Sequence, residues 1–412
     1  MASSEIILEA VPSVTDIPAA DWDACANPPG DPNSLENLDT LAAGGPQGES
    51  CKPAYNPFVS HAFFAAAEAS GSACARTGWG GRHLVARLDG KIAGIVPCYL
   101  KSHSQGEYVF DRGWADAYER AGGRYYPKLQ ASVPFTPATG PRLLIRDGVD
   151  REQIGTALAS GLMALCNATN ASSVHVTFAR EAEAKFLGAH GFLQRNDQQF
   201  HWHNAGYGSF DDFLTSLNSR HRKAIKRERR EALSAGITIH HLTGADLTEE
   251  AWDAFFAFYM ETGSRKWGRP YLTRKFFSLI GESMSRDVLL VMAKRNGRWI
   301  AGAINFIGSD TLFGRNWGAV EHHPFLHFEV CYYQAIDFAI QRGLKIVEAG
   351  AQGEHKLARG YLPQTTYSAH FIADPDLRRA IADYLKRERA YVAEVGRELA
   401  ESGPFRKAAD EA

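Results

Sequence analysis

Long apolar segments are absent from this chain of 412 residues. No stretch reaches the roughly 18 consecutive apolar residues that a transmembrane helix needs. The opening residues, MASSEIILEAVPSVTD, lack a basic start, and their longest apolar run is short, which argues against a signal peptide. We therefore expect a cytoplasmic protein without a transmembrane segment.

Paired cysteines are also absent, because the six cysteines lie far apart and form no Cys-x-x-Cys motif. This spacing predicts neither a zinc site nor a redox motif, and it favours reduced, mostly buried thiols. His201 and His203 alternate in the segment HWH and would share one face of a strand, but the spacing places no third metal ligand beside them. The sequence therefore predicts no metal site.

Net charge is nearly absent as well, since 45 Lys and Arg residues against 47 Asp and Glu residues give a formal charge of −2. This balance gives no overall attraction to nucleic acid or to an anionic membrane, so a polyanion site must come from local clustering. The composition, 45% hydrophobic and 22% charged, is that of a globular protein. The chain is longer than a domain with a single hydrophobic core usually is, which predicts two domains.

Two passages share one design, and this self-similarity indicates an internal duplication. The first begins LVARLDGKIAGIVPCYL at Leu84 and the second begins LVMAKRNGRWIAGAINFI at Leu290. Each contains a hairpin-turn dipeptide, an Ile-Ala-Gly triplet and a later Phe-x-Arg-x-Trp motif, and each continues into a predicted amphipathic helix and a strand. The matched segments are Asp89-Gly90 with Asn296-Gly297, Ile92 to Gly94 with Ile300 to Gly302, and Phe110 to Trp114 with Phe313 to Trp317.

The predicted fold class is α/β (α+β), with mixed β-sheets and flanking helices in two related domains. We place the first domain at residues 1–205, including a long loop rich in Pro, Gly and Asn at 25–56. The second domain covers 206–373, and a C-terminal helix occupies 374–412. Asp374 is the expected N-cap of that helix and Pro375 its first residue.

A basic helix is predicted at residues 220–230, where RHRKAIKRERR carries seven cations against one Glu. Ser219 is the expected N-cap. Like charges at helical spacing repel, so their concentration here predicts a phosphate-binding surface. The alternative is a solvated helix face with Glu228 and Glu231 as partial counter-ions. The stripe consists of Arg220, Lys223, Arg227 and Arg230.

The segment GAQGEHKLARGYLP, at residues 350–363, combines glycines with charged side chains directly after an apolar strand. Its glycine spacing fits neither GxxxxGK[ST] nor GxGxxG, so it predicts no nucleotide loop. Ligands collect at strand ends of α/β sheets, and glycine lets the backbone approach a phosphate. Lys356 and Arg359 are the expected phosphate- or charge-binding residues, and Glu348 and His355 are candidate bases. The alternative is a surface turn in which Glu354 pairs with Arg359.

The first half holds a dense set of aromatic and polar side chains between residues 100 and 144. Aromatic rings with a few directed polar groups suit a sugar or peptide substrate, whereas the alternative is a tyrosine-rich core with satisfied hydroxyls. Arg315 and Trp317, from the second Phe-x-Arg-x-Trp motif, are added to the substrate-binding set. The candidates in the first half are His103, Glu107, Asp111, Trp114, Tyr126 and Lys128.

Five segments carry a family resemblance: NPFVSHAFF, HSQGEYVFDRGWADAY, YYPKLQASVPFTPATGPRLL, HFEVCYYQAI and GAQGEHKLARGYLP. They resemble the bacterial peptidoglycan biosynthesis/recognition proteins, a branch of the GNAT-like N-acyltransferases that is similar to the Fem peptidyltransferases. The resemblance implies two GNAT-like domains and transfer of an amino acid from aminoacyl-tRNA to a peptidoglycan precursor. It also makes Lys356 similar to a family lysine near the substrate phosphates, and the basic segment similar to one ahead of the second domain's main strands.

Two departures from the family pattern leave the donor open. The stretch nearest to a coenzyme A motif, RNWGAV at 315–320, lacks the final small residue, and no long heptad insertion forms a coiled-coil arm. We expect an N-acyltransferase that uses acyl-CoA or aminoacyl-tRNA, with its chemistry in the second domain. The alternatives are a non-catalytic protein that binds a cell-wall precursor or another phosphate-bearing ligand, and an RNA-binding module carried by the basic helix.

Overall fold

The computed structural model describes residues 5–28, 55–267, 270–350 and 353–406, without the side chains of 264–267 and Glu354. Most of the predicted loop at 25–56, and the predicted pairing of Glu354 with Arg359, lie outside this part. The chain divides into two compact units: unit 1 comprises residues 1–134, 139–195 and 367–385, and unit 2 comprises 135–138, 196–366 and 386–412. The predicted domain boundaries after residues 205 and 373 remain predictions.

Unit 1 contains two sheets and five helices among its described residues before 195. One sheet has the order β1-β3-β4-β7 and is antiparallel throughout. In the other, β2, β5 and β6 are antiparallel neighbours, and β6 pairs in parallel with β8. The strands are β1 (Ile6–Val11), β2 (Trp79–Gly81), β3 (His83–Leu88), β4 (Lys91–Val96), β5 (Cys98–Lys101), β6 (Lys128–Ala131), β7 (Leu144–Ile145) and β8 (Ser173–Ala179). The helices are α1 (Ala19–Ala26), α2 (His61–Ala69), α3 (Arg112–Arg120), α4 (Arg151–Ala168) and α5 (Glu181–Ala189).

Unit 2 is built on a mixed sheet of order β10-β11-β12-β13-β14-β9. Its neighbours are antiparallel except for the parallel pair β13 and β14. The strands are β9 (Leu193–His203), β10 (Ile237–Leu242), β11 (Val288–Arg295), β12 (Arg298–Ile307), β13 (Thr311–Ala319) and β14 (Ile346–Glu348). The helices are α6 (Phe210–Ser216), α7 (Ser219–Ala232), α8 (Glu249–Trp267), α9 (Arg274–Ser283), α10 (Leu326–Phe328) and α11 (Gln334–Arg342).

Three elements supply residues to both units. Strand β9, strand β15 (Leu362–Ile372) and the C-terminal helix α12 (Pro375–Glu401) each contain a unit boundary. The N-cap prediction for α12 is confirmed, because the Asp374 carboxylate accepts hydrogen bonds from the backbone N–H groups of Asp376 and Leu377. In unit 1, β15 continues the second sheet as the antiparallel partner of β8.

The duplicated hairpins have the same geometry in both units. Both turn dipeptides have positive φ at each residue, 50° and 80° at Asp89-Gly90 and 49° and 76° at Asn296-Gly297. These are the angles of a turn whose twist matches that of the flanking strands. The register also shifts three residues before each turn, after Ala86 and after Ala293. A repeated bulge at one position of a repeated hairpin supports the predicted duplication.

Two local predictions are wrong. The Phe-x-Arg-x-Trp motifs are not equivalent, because Trp114 lies on helix α3 whereas Trp317 lies on strand β13. The N-cap of α7 is Asn218 rather than Ser219, since the Asn218 side chain accepts a hydrogen bond of 3.1 Å from the backbone N–H of His221. Both residues can cap a helix, so sequence preference alone did not decide between them.

Each unit has its own apolar core. In unit 1, helix α4 packs its Ile154, Leu158 and Leu162 side chains on the sheets, all of them fully buried. In unit 2, the core is assembled from β11, β12 and the buried faces of α6, α7 and α11. Apolar side chains cover one face of each sheet and exclude water from it. A polar group that is buried there needs a hydrogen-bonding or charged partner.

Candidate functional site

The parallel pairing of β13 and β14 is short, and it ends where the candidate site begins. It joins Thr311 to Ile346, Leu312 to Val347 and Phe313 to Glu348, and β13 continues beyond the last pair. Gly314 comes next, and a Cβ built on it would lie 3.2 Å from the carbonyl oxygen of Glu348. A side chain at this position would therefore press on the chain that leaves β14.

A bulge on β13 lies beside this end of the pairing. Ala303 pairs with Trp317 and Asn305 with Gly314, so two residues of β13, Arg315 and Asn316, oppose one residue of β12. Bulges interrupt a ladder and redirect side chains, and they are frequent beside active sites. The Arg315 guanidinium donates a hydrogen bond of 3.4 Å to the carbonyl oxygen of Phe135.

The helix after β13 is irregular in its first turns. Its α-helical start, α10, is followed by a π-helical segment, Glu329–Tyr333, before the regular helix α11. Segments of this type are uncommon and often mark functional sites. Glu329 is fully buried and accepts hydrogen bonds from Arg229 on α7 at 3.0–3.3 Å. Glu329 therefore has a charged partner on the basic helix.

Lys356 lies on a short 3₁₀ helix, Glu354–Arg359, which follows β14. Its side chain is almost fully buried, and its Nζ donates a hydrogen bond of 2.8 Å to the carbonyl oxygen of Gly350. Burial lowers the pKa of Lys356 to about 7; Cys331 acts in the opposite direction, and the positive charge of Arg315 lowers the pKa further. The amine is therefore only partly protonated at neutral pH.

Arg359 is held by a buried carboxylate on the basic helix. Its Nη2 donates a hydrogen bond of 2.8 Å to Oε2 of Glu228, and the same oxygen accepts a hydrogen bond from the Tyr333 hydroxyl. The guanidinium also lies over the ring of Phe328, 3.4 Å from its centroid. Glu228 is therefore a specific buried partner, and the predicted role as a surface counter-ion does not describe it.

The two candidate bases lie in different surroundings. Glu348 is buried at the end of β14, with its Oε1 4.0 Å from Nε2 of His201. Burial lowers the pKa of His201 to about 3, so this contact is not an ion pair at neutral pH. His355 is exposed and shares a hydrogen bond of 2.9 Å with the Tyr332 hydroxyl. Both bases remain predictions.

Trp317 belongs to a group of rings near His355. The ring centroids of Trp317 and His327 are 5.1 Å apart, and those of His327 and His355 are 6.2 Å apart. The Tyr332 ring contacts both histidines, with its centroid 5.4 Å from that of His327 and 5.7 Å from that of His355. The structure thus brings together six residues predicted from the second half of the sequence: Arg315, Trp317, Glu348, His355, Lys356 and Arg359.

The basic helix α7 has two different faces. Ile225, Glu228 and Ala232 are buried, whereas the predicted stripe of Arg220, Lys223, Arg227 and Arg230 is exposed. Arg227 contacts Glu231 at 3.7 Å. Within the described residues, the other three members of the stripe make no ion pair. An exposed cationic face suits a phosphate-bearing ligand, and this role remains a prediction.

Three candidates of the first half, Glu107, Asp111 and Lys128, form a buried ionic cluster in unit 1. Lys128 is fully buried, its Nζ donates a hydrogen bond of 2.6 Å to Glu107, and it also donates to Asp111. Lys101 contacts the second oxygen of Glu107 at 3.7 Å. Burial acts to lower the pKa of Lys128, but the two carboxylates outweigh it and raise that pKa. The cluster places two lysines beside two carboxyl groups.

Two buried histidines extend this cluster. Nδ1 of His175 lies 2.8 Å from Nδ1 of His370, and Asp111 accepts a hydrogen bond from Tyr125, which also contacts His175. Burial lowers the pKa of His175 to about 3. Trp114 packs over this pair, 5.1 Å from the His370 ring centroid. No sequence pattern predicts that these two histidines pair, because they are far apart in the chain.

The remaining two candidates of the first half are less buried. His103 accepts a hydrogen bond of 3.2 Å from the backbone N–H of Gln105, and the Tyr126 hydroxyl shares one of 2.8 Å with Ser104. Burial lowers the pKa of His103. Of the first-half set, these two are the side chains with partly exposed surface. Their substrate-binding roles remain predictions.

Several residues of the unit 2 site were not predicted. Tyr332 and Tyr333 were visible in the segment HFEVCYY, but the sequence does not predict the π-helical segment from which their hydroxyls reach His355 and Glu228. Glu228 gave one available signal, a single acid within a run of cations. A single acid of this kind is a candidate for the buried partner of a cation elsewhere in the chain.

Two searches of the described chain gave negative findings. No helix there is both long enough and apolar enough to cross a membrane. In the same part of the chain, no group of three or more His, Cys, Asp or Glu side chains is arranged to hold a metal ion.

The comparison with one solved structure, FemX, supports the fold. The chain resembles the crystal structure of FemX with a TM-score of 0.50 and 12% identity, covering 85% of this chain and 98% of that one. It also matches a tandem GNAT protein from the clavulanic acid biosynthesis pathway, with a TM-score of 0.44, 13% identity and coverage of 90% and 99%. L-PGS from Bacillus licheniformis matches with a TM-score of 0.46, 8% identity and coverage of 71% and 86%. The fold is two GNAT-like domains, as predicted.

Comparisons of sequence identify the family. No curated protein matches the chain significantly. The FemAB-like family model, described as peptidoglycan biosynthesis/recognition, matches residues 13–407. This match covers nearly the whole chain and agrees with the resemblance carried by the five sequence segments. The chain therefore belongs to the FemAB-like family of peptidoglycan biosynthesis/recognition proteins.

Proposed function

We propose that the protein is a transferase that moves an acyl or aminoacyl group to an amine, and that unit 2 carries the chemistry. The supporting observation is the end of the β13–β14 pairing at Phe313 and Glu348, with the buried Lys356 beside it. Beyond this last pair β13 is no longer paired with β14, and we expect its backbone groups there to face an acyl carbonyl. A buried cation there acts on charge that develops in a low-dielectric site.

The reaction joins the amine nitrogen to the acyl carbon of the donor, and the bond from that carbon to the leaving group breaks. Negative charge develops on the carbonyl oxygen, and the protonated Lys356 stabilises it. The attacking amine loses a proton, for which Glu348 or His355 is the acceptor. Most of the remaining rate enhancement comes from holding donor and acceptor together.

Family membership supports a peptidoglycan-type precursor as the acceptor. The donor is an acyl-CoA or an aminoacyl-tRNA, and both carry phosphates. The exposed cations of α7 are suited to such a group by charge, with Arg220, Lys223 and Arg230 available to pair with it. Salt dependence distinguishes the donors, because a tRNA contacts more cations and loses affinity more steeply with added salt.

The test is an assay of the purified protein with panels of acyl-CoA and aminoacyl-tRNA donors and amine acceptors, including peptidoglycan precursors, read by product mass. Lys356→Met should lower kcat about 10²–10³-fold, the usual effect of removing one charge-stabilising group. Lys345→Met is the control, because Lys345 is an exposed lysine of the same unit. The absence of product with every donor, or full activity in Lys356→Met, would contradict the proposal. Precursor binding without turnover would instead favour a binding protein.

A further inference from the structure

Glu228 lies on the buried face of α7, the same helix that exposes the basic stripe. Its side chain is 11% exposed, and one oxygen, Oε2, accepts hydrogen bonds from both Arg359 and Tyr333. A buried carboxylate needs charged or hydrogen-bonding partners. Here the partners come from the π-helical segment and from the 3₁₀ turn of Lys356, so one carboxylate joins three elements.

Arg359 connects this carboxylate to the turn itself. Its Nη1 donates a hydrogen bond of 2.6 Å to the carbonyl oxygen of His355, the residue before Lys356. The backbone at the ends of the turn is also bonded, with Lys356 N–H to the Gly353 oxygen at 3.0 Å and Tyr361 N–H to the Lys356 oxygen at 3.3 Å. The glycines that flank the turn, Gly353 and Gly360, both have positive φ. The Arg359 guanidinium adds a side-chain connection from this turn to α7.

We propose that Glu228 is a positioning residue for Lys356, acting through the guanidinium of Arg359. The inference rests on the proposed function for its effect on turnover, but its structural part stands without it. Arg359 is buried, so its charge needs the Glu228 carboxylate. When that partner is removed, the guanidinium moves toward water and takes the His355–Arg359 turn with it.

The state of Lys356 reports this movement directly. The charged groups acting on Lys356 include Arg315 and Cys331, and Lys356 in turn acts on His201. If Glu228→Gln left the turn in place, the unneutralised Arg359 would hold the pKa of Lys356 where it is or lower it. If the turn is released, Lys356 gains water, and its pKa rises from about 7 toward the ordinary lysine value.

The first experiment is a 13C NMR titration of the lysine Cε signals, with Lys356→Met used to assign the signal. Glu228→Gln should move the Lys356 midpoint to higher pH, and Glu231→Gln should not, because Glu231 is an exposed acid of the same helix. An unchanged or lower midpoint in Glu228→Gln overturns the proposal. Because this measurement needs no turnover, it gives an answer even if no donor is ever found.

The second experiment is a double-mutant cycle on activity. Glu228→Gln should lower kcat at least tenfold with KM changed less than about twofold, and Glu231→Gln should change neither. Adding Glu228→Gln to Arg359→Met should cause no further loss, because the carboxylate acts through the guanidinium. Additive losses would contradict the proposal while leaving the transferase activity established. Circular dichroism of each variant checks that the losses are not unfolding.

Discussion

Three buried lysines show how the partner of an ammonium group sets its state. Lys128 and Lys101 are fully buried and Lys356 almost fully. Two carboxylates in contact raise the pKa of Lys128, whereas burial lowers the pKa of Lys101 and of Lys356 to about 7. Lys356 has a carbonyl oxygen, not a carboxylate, as its hydrogen-bond partner. A site that has to bind negative charge benefits from this arrangement, because a carbonyl oxygen competes with a bound anion less than a carboxylate in direct contact does.

The pH dependence of activity should follow the protonation of Lys356. Its charged form is populated below pH about 7 and is lost as the pH rises through that value. If this form stabilises developing charge, kcat/KM falls above pH about 7, because that ratio reports the free enzyme. Lys356→Arg keeps its charge at every pH used, so its lower activity should lack this alkaline decline.

Initial rates between pH 5.5 and 9.5 decide the point, with Lys345→Arg as the matched substitution at an exposed lysine. If Lys356→Arg shows the same alkaline decline, the decline belongs to a group other than Lys356. If the wild-type rate instead rises as the pH passes about 7, the result would indicate that the neutral amine of Lys356 acts as a base.

At the scale of elements, the start of α7 matters because this helix carries both the basic stripe and Glu228. Asn218 caps it with one hydrogen bond to the backbone N–H of His221. Asn218→Ala should lower the free energy of unfolding by about 1 kcal/mol, the usual value of a side-chain cap. Ser219→Ala is the control, since Ser219 lies inside the helix and is exposed. Urea unfolding of the two variants gives the comparison, and a larger loss in Ser219→Ala would show that the cap is assigned to the wrong residue.

The sequence predicted those elements whose signals are local. The hairpin turns, the C-terminal helix and the basic helix each follow from residues close together in the chain, through turn dipeptides, caps or charge spacing. Phe110 to Trp114 shows the limit of this reasoning. The motif matches Phe313 to Trp317 in letters, but the first lies at a helix start and the second in a strand. The same short motif can therefore form different secondary structure when the residues around it differ.

The candidate site was predicted only in part for the same reason. Lys356, Arg359 and Glu348 lie close in sequence, so a strand-end loop was enough to group them. Glu228 accepts a hydrogen bond from Arg359, which lies more than 100 residues away in the chain. Tyr333 reaches Glu228 from the π-helical segment. No spacing rule places such partners. The pairing of His175 with His370 is likewise set by strand pairing between β8 and β15.

At the scale of the whole molecule, unit 1 depends on residues from near the end of the chain. Its residues 367–385 supply Ile372, Leu377, Ile381 and Leu385 to an apolar cluster that includes Trp114 and Tyr125. This segment also gives β8 its antiparallel partner and gives His175 its partner His370. A fragment of residues 1–195 would therefore expose an open sheet edge and an uncovered apolar surface.

We expect the fragment 1–195 to be aggregation-prone and rapidly digested by protease, because it lacks this segment. Joining residues 367–385 to it through a flexible linker should restore a cooperative unfolding transition, since the linked segment supplies both the strand and the helix face. The matched control carries Leu377→Ser, Ile381→Ser and Leu385→Ser, three substitutions at buried positions of the helix. Thermal unfolding followed by circular dichroism, together with limited proteolysis, measures the difference. Cooperative unfolding of 1–195 alone would show that unit 1 is complete without the late segment. Rescue by the linked segment, but not by its serine variant, would show that unit 1 requires the apolar face of the helix.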